Sequence, residues 1–245
     1  MNPHHWSEGP LWSFDTETTG LDPQRDRLVS AALLYVEPDG RAVVPSYSTI
    51  IDPGIEVPEA ASAVNGLTTE HVRREGIAPA AALRYIVSLL VRCKSEGSPL
   101  VIMNAPFDWP FLLAECRRHG IQEPPVVPIF DPLLVDRHMD PYRKGSRRLE
   151  ALCGVYGVTL DDAHEAGADA AAAAQVSRAI VRANPALLER TPRQLHTDQI
   201  GWYAAWREDI NRYWEHRGET RRVTGSWPVG DLWTEAGDPD AERVG

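Results

Sequence analysis

The sequence predicts an α/β domain built on a mixed five-stranded sheet flanked by helices, with a helical extension at the C-terminus. Three observations carry this. Two apolar runs near the N-terminus are separated by a tight turn signal, as in an antiparallel hairpin. Later apolar runs are short, and each leads into a helical pattern. Acidic residues recur at strand ends and helix starts. Strands grouped first and then alternating with helices indicate a sheet with both antiparallel and parallel pairs.

Taken in order, residues 11 to 17 read as a buried strand, and 28 to 36 with 41 to 51 as a hairpin closed by "EPDG". "LTTEHVRREG" offers Thr68 or Thr69 as a helix cap, and an amphipathic helix opens at Pro79 and runs to about 95. "PLVIMN" (99–104) is a short strand leading into a helix that ends near Gly120, and "VVPIFD" (126–131) is another strand. Residues 147–156 and 168–183 are helical, the second containing an alanine run, the best helix former available. "ANPA" interrupts the pattern near residue 184 and closes a domain expected to span 1–184.

An extension over 185–229 follows. Thr191 and Pro192 suit a cap and first helical residue, and Leu195, Gln199, Trp202, Trp206, Ile210 and Tyr213 then mark one face of a long helix. Such a face either packs on the main domain or offers aromatic anchors, over 191–216, to a polymerase partner or a second copy in a homodimer. Residues 230–245 read as an acidic tail.

Composition narrows the function. A charge of −10 argues against coating nucleic acid by charge alone, but not against an enzyme that grips a few nucleotides through bound cations. Three cysteines without zinc-like spacing support neither a disulfide framework nor a thiolate metal site. No apolar run approaches a membrane span and "MNPHHWSEGP" has no secretory pattern, so a cytoplasmic location is expected.

The acidic positions hold the chemistry. In a strand, i and i+2 share a face, so Asp15 and Glu17 of "FDTETTG" project together, followed by a glycine turn that lets a ligand approach. Asp108 of "NAPFD" lies where a helix begins, and alone could be an N-cap. In "HEAGAD", His164 precedes a helix and Asp169 falls in its first turn.

These three segments resemble, in order and separation, the motifs of the DEDD superfamily of 3′–5′ exonucleases, in the variant with histidine at the fifth position. "VNGLTTEHV" (64–72) and "RRLEALCGVYGV" (147–158) are similar to further family segments. Within the superfamily the chain is similar to the proofreading epsilon subunit of bacterial DNA polymerase III. The resemblance covers about residues 10–183 and implies a ribonuclease H-like core with two divalent ions, Mg²⁺ or Mn²⁺. It implies that Asp15 bridges both ions, Glu17 and Asp169 complete the first, and Asp108 holds the second through water. His164 would be the general base for an attacking water, releasing nucleoside 5′-monophosphates. Thr18, Leu21, Asn65 and Phe107 would border the terminal nucleotide, with Asn65 departing from the histidine common there. "RKGSRR" (143–148) reads equally as a phosphate track or a solvated basic loop. The expectation is an exonuclease for single-stranded or frayed 3′ ends of DNA, in proofreading or repair. RNA 3′-end trimming is one competing reading. A non-catalytic module that binds 3′ ends or a polymerase is the other.

Overall fold

The computed structural model describes residues 5–160 and 165–230. Strands β1 (Leu11–Thr18), β2 (Leu28–Val36) and β3 (Ala42–Ile50) form an antiparallel meander. Helices α1 (Glu59–Asn65), α2 (Thr69–Glu75) and α3 (Pro79–Glu96) follow, then β4 (Leu100–Val101), α4 (Ala105–Arg118) and β5 (Ile129–Phe130). The chain continues through α5 (Pro132–Met139), α6 (Leu149–Tyr156), α7 (Ala166–Ala183), a 3₁₀ turn at Pro185–Glu189 and α8 (Pro192–His216). The sheet order is β3-β2-β1-β4-β5, with β4 and β5 parallel to β1. This is the expected five-stranded mixed sheet.

The period of two along β1 sorts its side chains. Trp12 and Phe14 join Ala31, Leu33, Leu83, Leu90 and Phe111 in a core beneath α3 and α4. Leu11 faces the other way, with Ala32, Leu34 and Val36, against the alanine-rich surface of α7. Small side chains let α7 lie close on β1 and β2. Asp15 and Glu17 belong to this second face by the same alternation.

Some elements differ from the reading. The parallel strands keep only two ladder residues each, where six were expected. Pro124, Pro125 and Pro128 have no N–H to give a ladder, and the chain leaves β4 through Asn104 in the left-handed region (φ 60°), a conformation asparagine tolerates. Helices α1 and α5 were not anticipated. Both are short, and α5 starts because the Asp131 carboxylate accepts from the N–H groups of Leu133 and Leu134 at 3.1 and 3.3 Å.

Helix α8 packs on the main domain over its first turns, where Leu195 and Gln199 are buried. Gln199 Nε2 donates to the Ile129 carbonyl (2.8 Å), its Oε1 accepts from the Asp131 N–H (2.7 Å), and His196 Nδ1 accepts from the Ile129 N–H (3.0 Å). The edge of β5 is thus closed by side chains of α8 rather than left open. The aromatic stripe is also covered from within. Trp202 stacks on His138 at 4.1 Å, the Arg137 guanidinium lies 4.0 Å over Trp206, and Arg221 lies 4.3 Å over Trp214. Beyond α8 the chain returns to α4, and Trp227 is buried with its Nε1 donating to Asp131 Oδ2 (3.1 Å).

Gln199→Ala should leave the Asp131 N–H and the Ile129 carbonyl buried without these partners. A loss of about 1–3 kcal/mol in urea unfolding is expected, and an unchanged midpoint would show that β5 does not depend on α8.

Candidate active site

The sequence "FDTETTG" ends β1 at the carboxyl side of the sheet, where β4 stops short and α4 begins. Crevices of this kind are where α/β sheets bind ligands. From β1, Asp15 and Glu17 point toward the first turn of α7, which brings Asp169 to them. One oxygen from each of these three carboxylates lies within 4.8 Å of the others. Trans ligands of an octahedral ion with ~2.1 Å bonds stand about 4.2 Å apart, so small side-chain movements would close the set on one cation.

Asp108 arrives from the other layer. It sits in the first turn of α4 as the fourth helical residue, not as the N-cap, which is Asn104. Only 3% of it is exposed, and its Oδ1 accepts from the Thr16 hydroxyl at 2.6 Å. Thr16, between the two acids of β1, faces opposite to them and so meets α4. Asp131 fixes the start of that helix by accepting from the N–H groups of Asn104 and Ala105, both at 3.0 Å. These supports, Thr16 and Asp131, were not among the residues expected to matter. A threonine between the carboxylates and an "FDP" at a strand end were the available signals.

The electrostatics follow from this convergence. Burial, then the charges of Asp108, Asp169, Glu17 and Glu165, hold the Asp15 carboxyl well above its usual range. Burial and Asp169 push Glu17 up to about 8. Burial pushes Asp108 to about 7, with the Thr16 hydrogen bond pulling the other way. Glu165 caps α7, accepting from the N–H groups of Gly167 and Ala168 at 3.3 and 3.0 Å, and adds its charge to the cluster. Among the described residues no lysine or arginine pairs with Asp15, Glu17 or Asp108. An all-oxygen acidic set of this kind fits a hard divalent cation.

The remaining expected residues that the structure describes lie on β1, the turn after it, α1 and α4. Thr18 is buried, and its hydroxyl donates to the Gly20 carbonyl (2.6 Å), closing the turn after β1. Leu21 follows, 83% exposed. Asn65, the last residue of α1, donates from Nδ2 to the Thr18 carbonyl (3.3 Å), and its Oδ1 accepts from the Leu67 N–H (3.0 Å). Among the described residues, Nδ2 has this one acceptor, which leaves its second proton to give. Phe107 is half-buried against Phe111, ring centroids 5.2 Å apart. A cavity of about 420 Å³ opens beside Glu17, lined in part by Ser30, Asn65, His71 and Glu165. His164 lies outside the described residues. In the basic stretch, Arg143 and Arg147 both engage the buried Asp136 carboxylate, Arg143 at 2.6 Å, so these two hold the fold rather than face solvent.

The raised carboxyls make a signed statement about stability. Folded, Glu17 and Asp108 keep protons to about pH 8 and 7; unfolded, they release them near pH ~4. The folded state therefore binds more protons across that window, and stability falls as pH rises through it. For metal-free protein, Tm should fall from about pH 5 to about pH 9, and a divalent cation should restore it at the upper end. A flat profile insensitive to cations would contradict the clustering.

Comparisons with known proteins address the family and the fold. The family model described as RNase_T, Exonuclease, matches residues 13–177. A DNA polymerase III of PolC type from Lacticaseibacillus paracasei is 28% identical over 77% of this chain and 12% of its own length. A DNA polymerase III subunit epsilon-like protein from Rhodobacter capsulatus is 33% identical over 72% of this chain and 24% of its own. The DNA polymerase III subunit epsilon of Treponema pallidum is 29% identical over 64% of this chain and 70% of its own. The chain thus spans a minor part of the first two relatives. Among solved structures, exonuclease I superposes with a TM-score of 0.63 at 22% identity, covering 74% of this chain and 42% of that one. E. coli exonuclease I bound to a dT13 oligonucleotide gives 0.62 at 21% identity, covering 74% and 43%. These structures speak to the fold, which is the expected ribonuclease H-like one. The family match runs from Ser13 to Ser177 and takes in every carboxylate of the cluster, so this chain belongs to the RNase_T exonuclease family.

Proposed function

We propose that the protein is a divalent-metal-dependent 3′–5′ exonuclease that releases nucleoside 5′-monophosphates from single-stranded or frayed 3′ ends of DNA. The observation that carries this is the convergence of Asp15, Glu17, Asp108 and Asp169 at one sheet end, where among the described residues no lysine or arginine offsets Asp15, Glu17 or Asp108. Nothing in a binding-only module calls for such a set. DNA is favoured over RNA because the relatives are named as DNA polymerase III components.

In this reading Asp15, Glu17 and Asp169 would hold one Mg²⁺ or Mn²⁺ ion, and Asp108 would help to hold a second. Bound there, the ions supply positive charge that lowers the pKa of water and stabilises the leaving 3′ oxygen. Thr16 orients Asp108 by its hydroxyl, and Asp131 holds the helix that carries it. His164 would take the proton of the attacking water at an imidazole nitrogen. Leu21 and Phe107 pack against the terminal nucleotide, and Thr18 shapes the turn beneath it. Asn65 offers its second amide proton there, in place of an imidazole. If a polymerase or a second copy docks on α8, its contacts fall on the distal turns, where Tyr213 is exposed, since the proximal aromatics are covered.

The test is a time course on 5′-labelled single-stranded DNA and matching RNA with Mg²⁺, Mn²⁺ or EDTA. A metal-dependent ladder shortening from the 3′ end is expected, faster on DNA. Asp15→Ala and Asp169→Ala should remove it, and no shortening by wild-type protein under any metal would overturn the reading. His164→Ala should lower kcat by about 10²–10⁴ while leaving Mn²⁺ affinity near wild type. A matching fall in affinity would make His164 a ligand instead.

A further inference from the structure

Two stretches of this acidic chain concentrate arginine, and they are used differently. In the first, 143–148, Arg143 and Arg147 are spent on Asp136. The second, "RGETRR" (217–222), lies where the chain leaves α8. There one carboxylate serves two guanidiniums: Glu219 meets Arg217 at 3.2 Å and Arg221 at 2.5 Å. Arg222 is left with carbonyl acceptors alone, those of Glu219 (3.1 Å) and Arg221 (3.0 Å). It is exposed, and among the described residues it pairs with no carboxylate.

The segment that presents Arg222 is held in place. Asn211 clasps Val223 through both backbone groups at 2.8 Å, Arg207 binds the Gly225 carbonyl, and Trp227 is buried against Asp131. Gly230 closes the contact with α4. Its φ is +58°, and a Cβ there would come within 2.9 Å of the Pro106 carbonyl, which lacks a helical donor because Pro110 has no N–H. A rigid strap therefore runs beside α4, and it lies outside the residues that the family model covers.

Between this strap and the turn after β1 runs a groove of about 310 Å³, lined by Leu21, Asp22, Pro106, Pro110, Arg222 and Thr224 among others. Leu21, read above as bordering the terminal nucleotide, lines this groove, and Pro106 directly precedes Phe107 in sequence. Among the described residues, Asp22 and Arg222 are the charged ones that line it. Asp22 is already engaged, pairing with Arg25 at 3.5 Å and accepting from the Gln24 N–H at 2.9 Å. Among the described residues, the groove's charge without an ionic partner is thus that of Arg222.

Resting on the nuclease reading above, we propose that this groove carries the sugar–phosphate backbone of a single strand a few nucleotides upstream of its 3′ end, with Arg222 contacting a phosphate. The strap would then lengthen the grip on the strand beyond the terminal nucleotide, so that occupancy depends on substrate length.

The experiment measures binding of 5′-fluorescein oligodeoxynucleotides of three and twelve residues by anisotropy, in Ca²⁺, across a salt series. Arg222→Ala should weaken twelve-residue binding by about 3–10-fold and reduce the slope of log affinity against log salt by about 0.7, one phosphate contact on a single strand. Arg222→Lys should regain most of that slope, separating lost charge from lost fold. Arg84→Ala, on the exposed face of α3, should behave as wild type. A twelve-residue slope and affinity in Arg222→Ala equal to wild type would overturn the groove. An equal loss in Arg84→Ala would also overturn it, by assigning the effect to net charge. Wild-type turnover of the same oligonucleotide in Mn²⁺ tests the nuclease reading separately: no turnover with an Arg222-dependent slope would retire the nuclease and keep the groove.

Discussion

Like charges held together at the carboxyl end of β1 are the constraint to which the rest of this structure answers. Asp15, Glu17 and Asp169 bring oxygens within 4.8 Å of one another, with Asp108 beside them, and burial makes the ionised forms of Asp15, Glu17 and Asp108 costlier. A folded chain keeps such a set only if its backbone is held firmly and something else supplies positive charge. The alternation of β1 puts two acids on the face toward α7, and the alanine surface of α7 lets its first turn come close enough to add a third. Where two layers meet at a short parallel strand, the fourth arrives from α4.

The holding is done by neutral groups and by one further acid. Asp131 accepts from the backbone of Asn104 and Ala105 at the start of α4, from Leu133 and Leu134 at the start of α5, and from Trp227 of the returning strap. Its own N–H is satisfied by Gln199 of α8. Five donors around one buried carboxylate make it a structural hub rather than a ligand, and they join the C-terminal extension to the helix that carries Asp108. The extension is therefore mechanically part of the site's support. That places the ends of α4, α5 and α8 in one hydrogen-bonded network, in which the loss of one partner leaves others buried and unsatisfied.

Much of this was legible in the sequence. The hairpin, the four acids and the capped start of α8 at Thr191 follow from local pattern, because alternation, turn chemistry and caps are set by neighbours in the chain. The parallel strands were overestimated because a run such as "PLVIMN" reports burial and not ladder length; prolines and the left-handed Asn104 end the ladder early. Asp131 and Gln199 were not recognised as structural because their partners lie up to 96 residues away in sequence. The arginines of 143–148 read as a phosphate track or a solvated loop for the same reason: nothing local reveals that Asp136 is buried beneath Arg143 and Arg147. The aromatic stripe of α8 gave two readings, and tertiary contacts with His138 and Arg137 decide for packing over its proximal turns.

The claim on which the account rests is that the acidic cluster is a cation site. Titration of metal-free protein with Mn²⁺, followed by electron paramagnetic resonance, tests it most directly. Saturable binding of two ions per chain in wild type, disrupted in Asp15→Ala with the fold intact, is the predicted result. A titration in which free Mn²⁺ rises from the first addition, identically in both proteins, would contradict it.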